Sequence, residues 1–334
     1  MRVFLTGITG FAGSHLAERF LADGDSVDGL AHESPPHRNL AAVAARIRIH
    51  AGDLEDRAAL DEALEAARPD VVVHLAAQAV PTHAAADPLG TVRLNVLGTA
   101  VLLESLAARP GARLVYASSA DVYGAPESIP VGEDVAPRPR NVYAATKAAA
   151  EALVREFGDR GRNPTVILRA ANQNGPRQSP ELAASGFARQ IALAEVGLGP
   201  PVLRHGRLDG RRDFVDVRDM AAAYAAAASL SPEVTETYNV GTGRAVSISE
   251  VLAVLVGIAR LEIRTELDPQ RVRRGEPTEL ALDASRFRER TGWRPTISLE
   301  ESLADTLGYW RAQTAREAAG AVGPRAARAE RMDG

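Results

Sequence analysis

Tyr143 and Lys147 stand four residues apart in Val142-Tyr143-Ala144-Ala145-Thr146-Lys147, downstream of Ser118-Ser119-Ala120-Asp121-Val122-Tyr123-Gly124. A phenol with an ordinary pKa of about 10 is a poor acid–base at neutral pH. A lysine ammonium one helical turn away lies on the same face and stabilises the phenolate. Lowering the phenol by roughly 3 pH units takes about 4 kcal/mol, which a dry site beside a cationic nicotinamide supplies. Ser119 follows the strand-like run Leu114 to Ala117, so its hydroxyl can reach the substrate oxygen that Tyr143 serves. The set suits hydride transfer between a nicotinamide and a carbinol or ketone, with Tyr143 as proton donor and Lys147 also holding the nicotinamide ribose.

Tyr143 and Lys147 by themselves would pass for an exposed helix pair. Ser119 and a glycine turn far upstream give them their catalytic reading. Tyr123 is a rival phenol, but no lysine follows it at four residues. Asn95 suits either a water or backbone carbonyl in the site or plain helix packing. His74, inside an apolar run, reads as a hydrogen-bonded core histidine rather than an acid–base.

The upstream turn is Thr6-Gly7-Ile8-Thr9-Gly10-Phe11-Ala12-Gly13, spaced G-x-x-G-x-x-G. A tight strand-to-helix turn brings backbone N–H groups and a positive helix end onto a pyrophosphate. Gly7 permits the sharp turn, Gly10 the phosphate approach and Gly13 the helix packing, with Thr9, Phe11 and Ala12 beside the same cofactor. Asp53-Leu54 suits the adenine amino group. Ala76 and Ala77 either let the adenosine and pyrophosphate cross the sheet edge or serve ordinary packing. A carboxylate ending the second strand would favour NAD, but the sequence there is Ala31-His32-Glu33, with Arg38 beyond. His32 suits a 2′-phosphate and Glu33 a ribose, so NADP(H) is preferred and NAD(H) stays open.

These groups need a scaffold, and the chain supplies one. Arg2 to Thr6, Ser26 to Leu30, Ile47 to Ala51, Val71 to Leu75, Arg113 to Ser118 and Thr165 to Arg169 read as strands. Helical patterns occupy Ser14 to Ala22, Arg57 to Ala67, Leu89 to Leu106 and Asn141 to Phe157. Strand alternating with helix predicts an α/β fold of Rossmann type, a doubly wound parallel sheet covered on both faces. Residues 1–172 form this dinucleotide-binding domain, completed by about 213–259. A smaller discontinuous lobe takes 173–212 and 260–313. In this later part Ser185 to Val196, Asp213 to Ser229, Ser247 to Ala259 and Leu299 to Arg311 read as helices. Thr237 to Gly241, Ile263 to Leu267 and Leu280 to Asp283 read as strands. Residues 314–334 have little apolar area and read as a flexible tail.

Composition excludes several functions. The chain has 334 residues, 46% apolar, enough for a substantial core. A net charge of −4 without a basic block argues against nucleic acid and anionic membranes as partners. The absence of cysteine rules out disulfides, thiolate metal sites and a cysteine nucleophile, and no metal site is expected. The N-terminus leads straight into the first strand, and no apolar run approaches the length of a membrane span. A cytoplasmic protein is expected.

The ordered set His74-Leu75-Ala76-Ala77, Gly90-Thr91, Asn95-Val96-Leu97-Gly98-Thr99, Asn172, Gly175-Pro176 and Phe187 to Ile191 resembles the extended short-chain dehydrogenase/reductase family. Arg211-Arg212-Asp213-Phe214, Asp216 to Asp219, Thr265 to Leu267 and Thr291-Gly292-Trp293 continue the likeness, which runs from Met1 to about Trp310. It is closest to members acting on nucleotide-linked sugars. The resemblance implies an NAD(P)-dependent enzyme with a nucleotide-diphosphate sugar as substrate, reducing the C4 ketone of a GDP-linked 4-keto-6-deoxyhexose. By matched position it implies Asn172 near the substrate diphosphate, Arg212 and Arg273 as its cationic partners and Glu276 at the nucleotide ribose. Asp121 and Arg204 are further substrate contacts and Gln78 a cofactor contact on the same basis. An arginine fork suits phosphate oxygens at fixed charge.

Departures from the pattern narrow the chemistry. Related 4,6-dehydratases place an acid and then a glutamate after the catalytic hydroxyl residue, where this chain has Ala120 and Asp121. Elimination of water then lacks its proton donor, whereas reduction needs only Ser119, Tyr143, Lys147 and an exchangeable cofactor. Ala84 stands for a sugar-facing serine, and Arg169-Ala170-Ala171-Asn172 lacks the usual residues before the asparagine, pointing to a different hexose or nucleotide. The alternatives are a 4-epimerase holding one NAD, then a 4,6-dehydratase. A non-catalytic nucleotide sensor would be expected to lose Tyr143 or Lys147. The helices Leu89 to Leu106 and Asn141 to Phe157 suit either a homodimer interface or burial within one subunit.

Overall fold

The β-branched runs become strands that bury both faces. The computed structural model describes residues 1–32, 35–272 and 278–329, with side chains through residue 319. Strands β1 (Arg2–Thr6), β2 (Ser26–Ala31), β3 (Ile47–Ala51), β4 (Val71–His74), β5 (Arg113–Ser119) and β6 (Thr165–Ala170) join Glu236–Val240 in a parallel sheet. Its order is Glu236–Val240, then β6, β5, β4, β1, β2 and β3. The strand order reverses between β1 and β4, and ligands of such sheets bind at the carboxyl ends there. The loops after β1, β4 and β5 therefore open onto one crevice.

Alternate side chains serve opposite layers. Val3 and Leu5 pack with Leu16, Ala17 and Phe20 of α1 (Phe11–Ala22) and with Met220 and Tyr224 of the helix Val217–Ala228. Phe4, Val72 and Leu114 pack on the other face with α2 (Arg57–Ala67), α5 (Gly98–Ala107) and α6 (Val142–Asp159). Short helices α3 (Pro81–Ala86) and α4 (Pro88–Val92) precede α5, to which α4 is joined by a π-helical segment, Arg93–Leu97.

Three expectations change. Asp213 to Ser229 is not one helix: Arg211–Asp216 is a strand, and the helix starts at Val217 because the Asp216 side chain caps it, accepting from the Arg218 N–H at 2.8 Å. The helical stretch Pro88–Ala107 is long and apolar enough to span a bilayer, contrary to the reading that no run approaches that length. Its Leu102, Leu103 and Leu106 lie in the sheet core. The closing helix runs Leu299–Ala329, so the helix continues where a tail was expected. Thr314 is buried, and its hydroxyl bonds the Trp310 and Ala192 carbonyls. Alanine, arginine and glutamate offer little apolar area but are strong helix formers.

The chain divides into two compact units. One unit comprises Met1–Gln173, Arg212–Ala245 and Gly275–Thr296; the other comprises Asn174–Arg211, Val246–Arg274 and Ile297–Gly334. The helix Ile248–Gly257 thus belongs to the second unit, and Ser285–Thr291 to the first. In the second unit, Trp310 Nε1 donates to Ser185 Oγ at 2.8 Å, and Arg311 forks onto Glu195 at 2.7 Å twice. Val202–His205 pairs in parallel with Arg264–Leu267 there.

Candidate active site

The glycine turn is dictated by backbone contact. Gly7 has φ +73, and a Cβ on it would lie 2.8 Å from Ala76 N. A Cβ on Gly13 would lie 2.1 Å from Gly7 O, so α1 reaches β1 only without a side chain there. Gly10 is the N-cap of α1 and contributes no side-chain cap, which leaves first-turn N–H donors to an anion. The residues present fit a dinucleotide pyrophosphate. Thr9, Phe11 and Ala12 are half-buried around this turn. Asn39 Nδ2 donates to Thr9 O at 2.9 Å and ties the loop after β2 to it.

A buried hydrogen-bond chain runs from this turn to the catalytic helix. Ala76 N–H donates to Thr6 Oγ1 at 3.3 Å, and Thr6 Oγ1 lies 2.6 Å from His74 Nδ1. His74 Nε2 lies 2.9 Å from Thr99 Oγ1, which donates onward to the Asn95 carbonyl at 2.7 Å. Thr99 has spent its single proton, so Nε2 carries the histidine hydrogen and Nδ1 accepts from Thr6. Burial pushes His74 down to about 3, with Lys147 adding to the shift, and every partner is satisfied by the neutral ring. His74 is the core histidine that the sequence indicated.

Asn95 lies in the π-helical segment, 2% exposed, and serves as a hub. Its Oδ1 accepts from Gln78 N at 2.7 Å, while Nδ2 donates to Gln78 O at 3.2 Å and to Thr146 Oγ1 at 2.9 Å. Thr146 donates to the Tyr143 carbonyl at 2.8 Å. Both roles open to Asn95 are realised, since it bonds the Gln78 backbone and a side chain of the neighbouring helix α6, and π segments often occur at functional positions. Gln78, Ala76 and Ala77 are half-buried along this loop.

Asn141 caps α6 by accepting from Ala144 N at 2.8 Å, which puts Tyr143 in the first turn and Lys147 one turn further. The Lys147 Nζ stands 4.7 Å above the Tyr116 ring. Burial lowers this ammonium to about 7, and Glu151 acts in the opposite direction. Tyr143 does not follow the expected downward shift. Burial pushes it up to about 12, the Asp121 carboxylate raises it too, and a hydrogen bond with Ser119 lowers it. Desolvation dominates these effects, so the phenol holds its proton and is ready to donate it.

The remaining candidates fall into different settings. Leu54 is buried, and the Asp53 side chain is exposed and accepts from Glu55 N at 2.9 Å. His32 is exposed beyond β2. In the first unit Asp121 is half-buried, Asn172 is exposed and Arg212 is buried. Arg204 lies exposed in the second unit, its backbone N–H and carbonyl bonded by Gln190. Glu33, Arg273 and Glu276 lie outside the described residues.

Sequence reasoning missed two features. Tyr224 is fully buried close enough to Tyr143 for that phenol to disfavour its ionisation, and it hydrogen-bonds Gln173. Its regular helical setting gave no signal. The second was countable: Lys147 is the only lysine in the chain, and the other 38 basic side chains are arginine. A guanidinium does not titrate, so the one compact, titratable side-chain ammonium of the chain is the buried one above the Tyr116 ring.

A glycine turn at the switch point and a serine, tyrosine and lysine at the ends of β5 and α6 define an NAD(P)-dependent oxidoreductase of the extended short-chain dehydrogenase/reductase type. The chain belongs to the family described as GDP-mannose 4,6 dehydratase, which it matches over residues 4–306. It is 35% identical to the GDP-6-deoxy-D-mannose reductase of Pseudomonas aeruginosa, covering 95% of this chain and 99% of that one. The structure of RMD from Pseudomonas aeruginosa complexed with NADPH superimposes with a TM-score of 0.80 at 32% identity, over 94% of this chain and 100% of that one. A UDP-glucose 4-epimerase from Thermus thermophilus in complex with NAD gives 0.82 at 32% identity, over 93% and 99%.

Proposed function

We propose that this enzyme reduces the C4 ketone of GDP-4-keto-6-deoxy-D-mannose with NADPH, forming GDP-D-rhamnose. The observation that carries the reading is Ala120: this position, directly after Ser119, is a buried alanine (3% exposed) that supplies no acid for dehydration. The Pseudomonas aeruginosa reductase, similar over almost the full length, supports the same chemistry. A bound reduced nicotinamide would supply the hydride for C4. The Tyr143 hydroxyl gives its proton to the developing alkoxide, Ser119 orients that oxygen, and Lys147 holds positive charge one turn behind the phenol.

NADPH is favoured by Ala31, which puts no carboxylate against a 2′-phosphate, and by the exposed His32 beside it. Asn172 and Arg212 are assigned to the substrate diphosphate. A homodimer is proposed because Leu89, Val92 and Leu97 on the Pro88–Ala107 stretch and Leu153 on α6 are exposed. A cytoplasmic site of action fits a nucleotide-sugar substrate.

The second reading is a 4-epimerase, favoured by the equal likeness to the NAD-bound epimerase structure. Nicotinamide absorbance with purified enzyme, NADPH or NADH and enzymatically made GDP-4-keto-6-deoxymannose separates the two. Stoichiometric loss of reduced cofactor supports the reductase. No loss, with NAD released on denaturation, supports the epimerase.

A further inference from the structure

Behind the catalytic groups lies a second buried polar cluster that the reaction as written does not use. Glu151 follows Lys147 by one turn of α6, and each is 4% exposed. Its Oε2 accepts from Ser118 Oγ at 2.8 Å and from Arg169 Nε at 3.1 Å, while Oε1 takes the Arg169 Nη2 at 2.5 Å. Arg169 is itself fixed by Tyr123 Oη at 2.8 Å, and Tyr123 donates to Asn239 Oδ1 at 2.7 Å. Ser118 precedes Ser119 on β5 and Arg169 lies on β6, so one carboxylate bonds both strands and the catalytic helix. A shift of α6 along β5 would break these bonds and would move Tyr143 and Lys147 away from Ser119.

We propose that Glu151, locked by Ser118 and Arg169, is a positioning residue that registers the catalytic helix against β5 and keeps a counter-charge behind Lys147. The groups facing the ammonium are His74 from β4, Tyr116 from β5 and Glu151 from α6, with Tyr143 one turn before it on the same helix. His74 is neutral, and the phenols Tyr116 and Tyr143 are protonated. Asp121, on the turn after β5, acts on the Tyr143 phenol. Among these, the carboxylate at 151 is the charge that opposes Lys147 deprotonation, as its direction of effect agrees.

The two roles separate by experiment, because the lone lysine gives a single side-chain signal in enzyme labelled with [13C]lysine. Glu151→Gln keeps the volume and a Ser118 partner but removes the charge. The Lys147 titration midpoint is expected to fall by on the order of one pH unit, and the alkaline limb of kcat to move down with it. Glu151→Gln with Arg169→Met leaves no unpaired guanidinium and serves if the single variant folds poorly; with a cation lost as well, the midpoint should fall in the same direction but by less. Ser118→Ala keeps the charge, so kcat should drop about tenfold with the midpoint unmoved. A midpoint unchanged in a folded Glu151→Gln variant, or one that moves without the kcat limb, overturns the proposal. The inference rests on the reductase reading for its kcat arm only. Wild-type enzyme that fails to oxidise NADPH while the lysine midpoint shifts as expected overturns that reading instead.

Discussion

The carboxyl ends of β4 and β5 and those of β2 and β3 belong to one sheet yet are built differently. At β4 and β5, Thr6, His74, Thr99, Asn95 and Thr146 form a continuous buried chain of hydrogen bonds that ends on the Tyr143 carbonyl. At β2 and β3, His32 and Asp53 are exposed, and the polar ties are local ones, among them the Asn39 bond to Thr9, the His50 contact with Asp28 and the short Asp53 turn. Proton and hydride transfer need reacting atoms held to fractions of an ångström. Adenosine recognition needs only complementary charge and shape, which surface side chains supply. The wired end suits the proposed chemistry, and the open end suits the proposed cofactor choice.

Substitutions should therefore cost much more at the first end. Tyr143→Phe is expected to lower kcat by about 10³-fold with little change in the nicotinamide KM, as loss of a positioned proton donor does; retained turnover in the absorbance assay would remove Tyr143 from that role. Asn95→Leu strands the Gln78 and Thr146 partners and should destabilise the fold by about 2–4 kcal/mol in urea unfolding. His74 adds a pH dependence. Its folded pKa, about 3, lies below its unfolded value, so its contribution is complete above pH ~6.5 and is lost as pH falls toward 3. Between pH 6.5 and 5 that loss should approach about 2 kcal/mol, and His74→Asn should flatten this acid limb in thermal scans. At the open end, His32→Glu should raise the NADPH KM about tenfold, leave kcat and the NADH KM near their original values, and not alter stability. A large stability loss from that exposed site would erase the contrast between the two ends.

Legibility followed the same division of physical causes. The β-branched runs of β1, β4, β5 and β6 announced a parallel sheet, and the Tyr143, Lys147 and Ser119 spacing announced the reaction. Asp213 to Asp216 reads as the start of a helix because the strand Arg211–Asp216 is polar and alternates weakly, with burial decided by partners distant in sequence. The π segment at Arg93–Leu97 has the same apolar rhythm as an α-helix, and only the demand of Asn95 for three partners reveals it. The upward shift of Tyr143 was not legible either, because burial and the Asp121 field are tertiary quantities. Glu151 and Arg169 lay in plain view, but only the fold places them on one another.

A chain with one lysine has, apart from its N-terminus, one primary amine. The Met1 ammonium lies at the surface against Asp25 and Lys147 is buried, so the two amines differ sharply in access. An amine-acylating reagent should add one group to the native enzyme and two to the unfolded chain. Intact mass then becomes a count of how often the catalytic floor opens, read molecule by molecule without any engineered label.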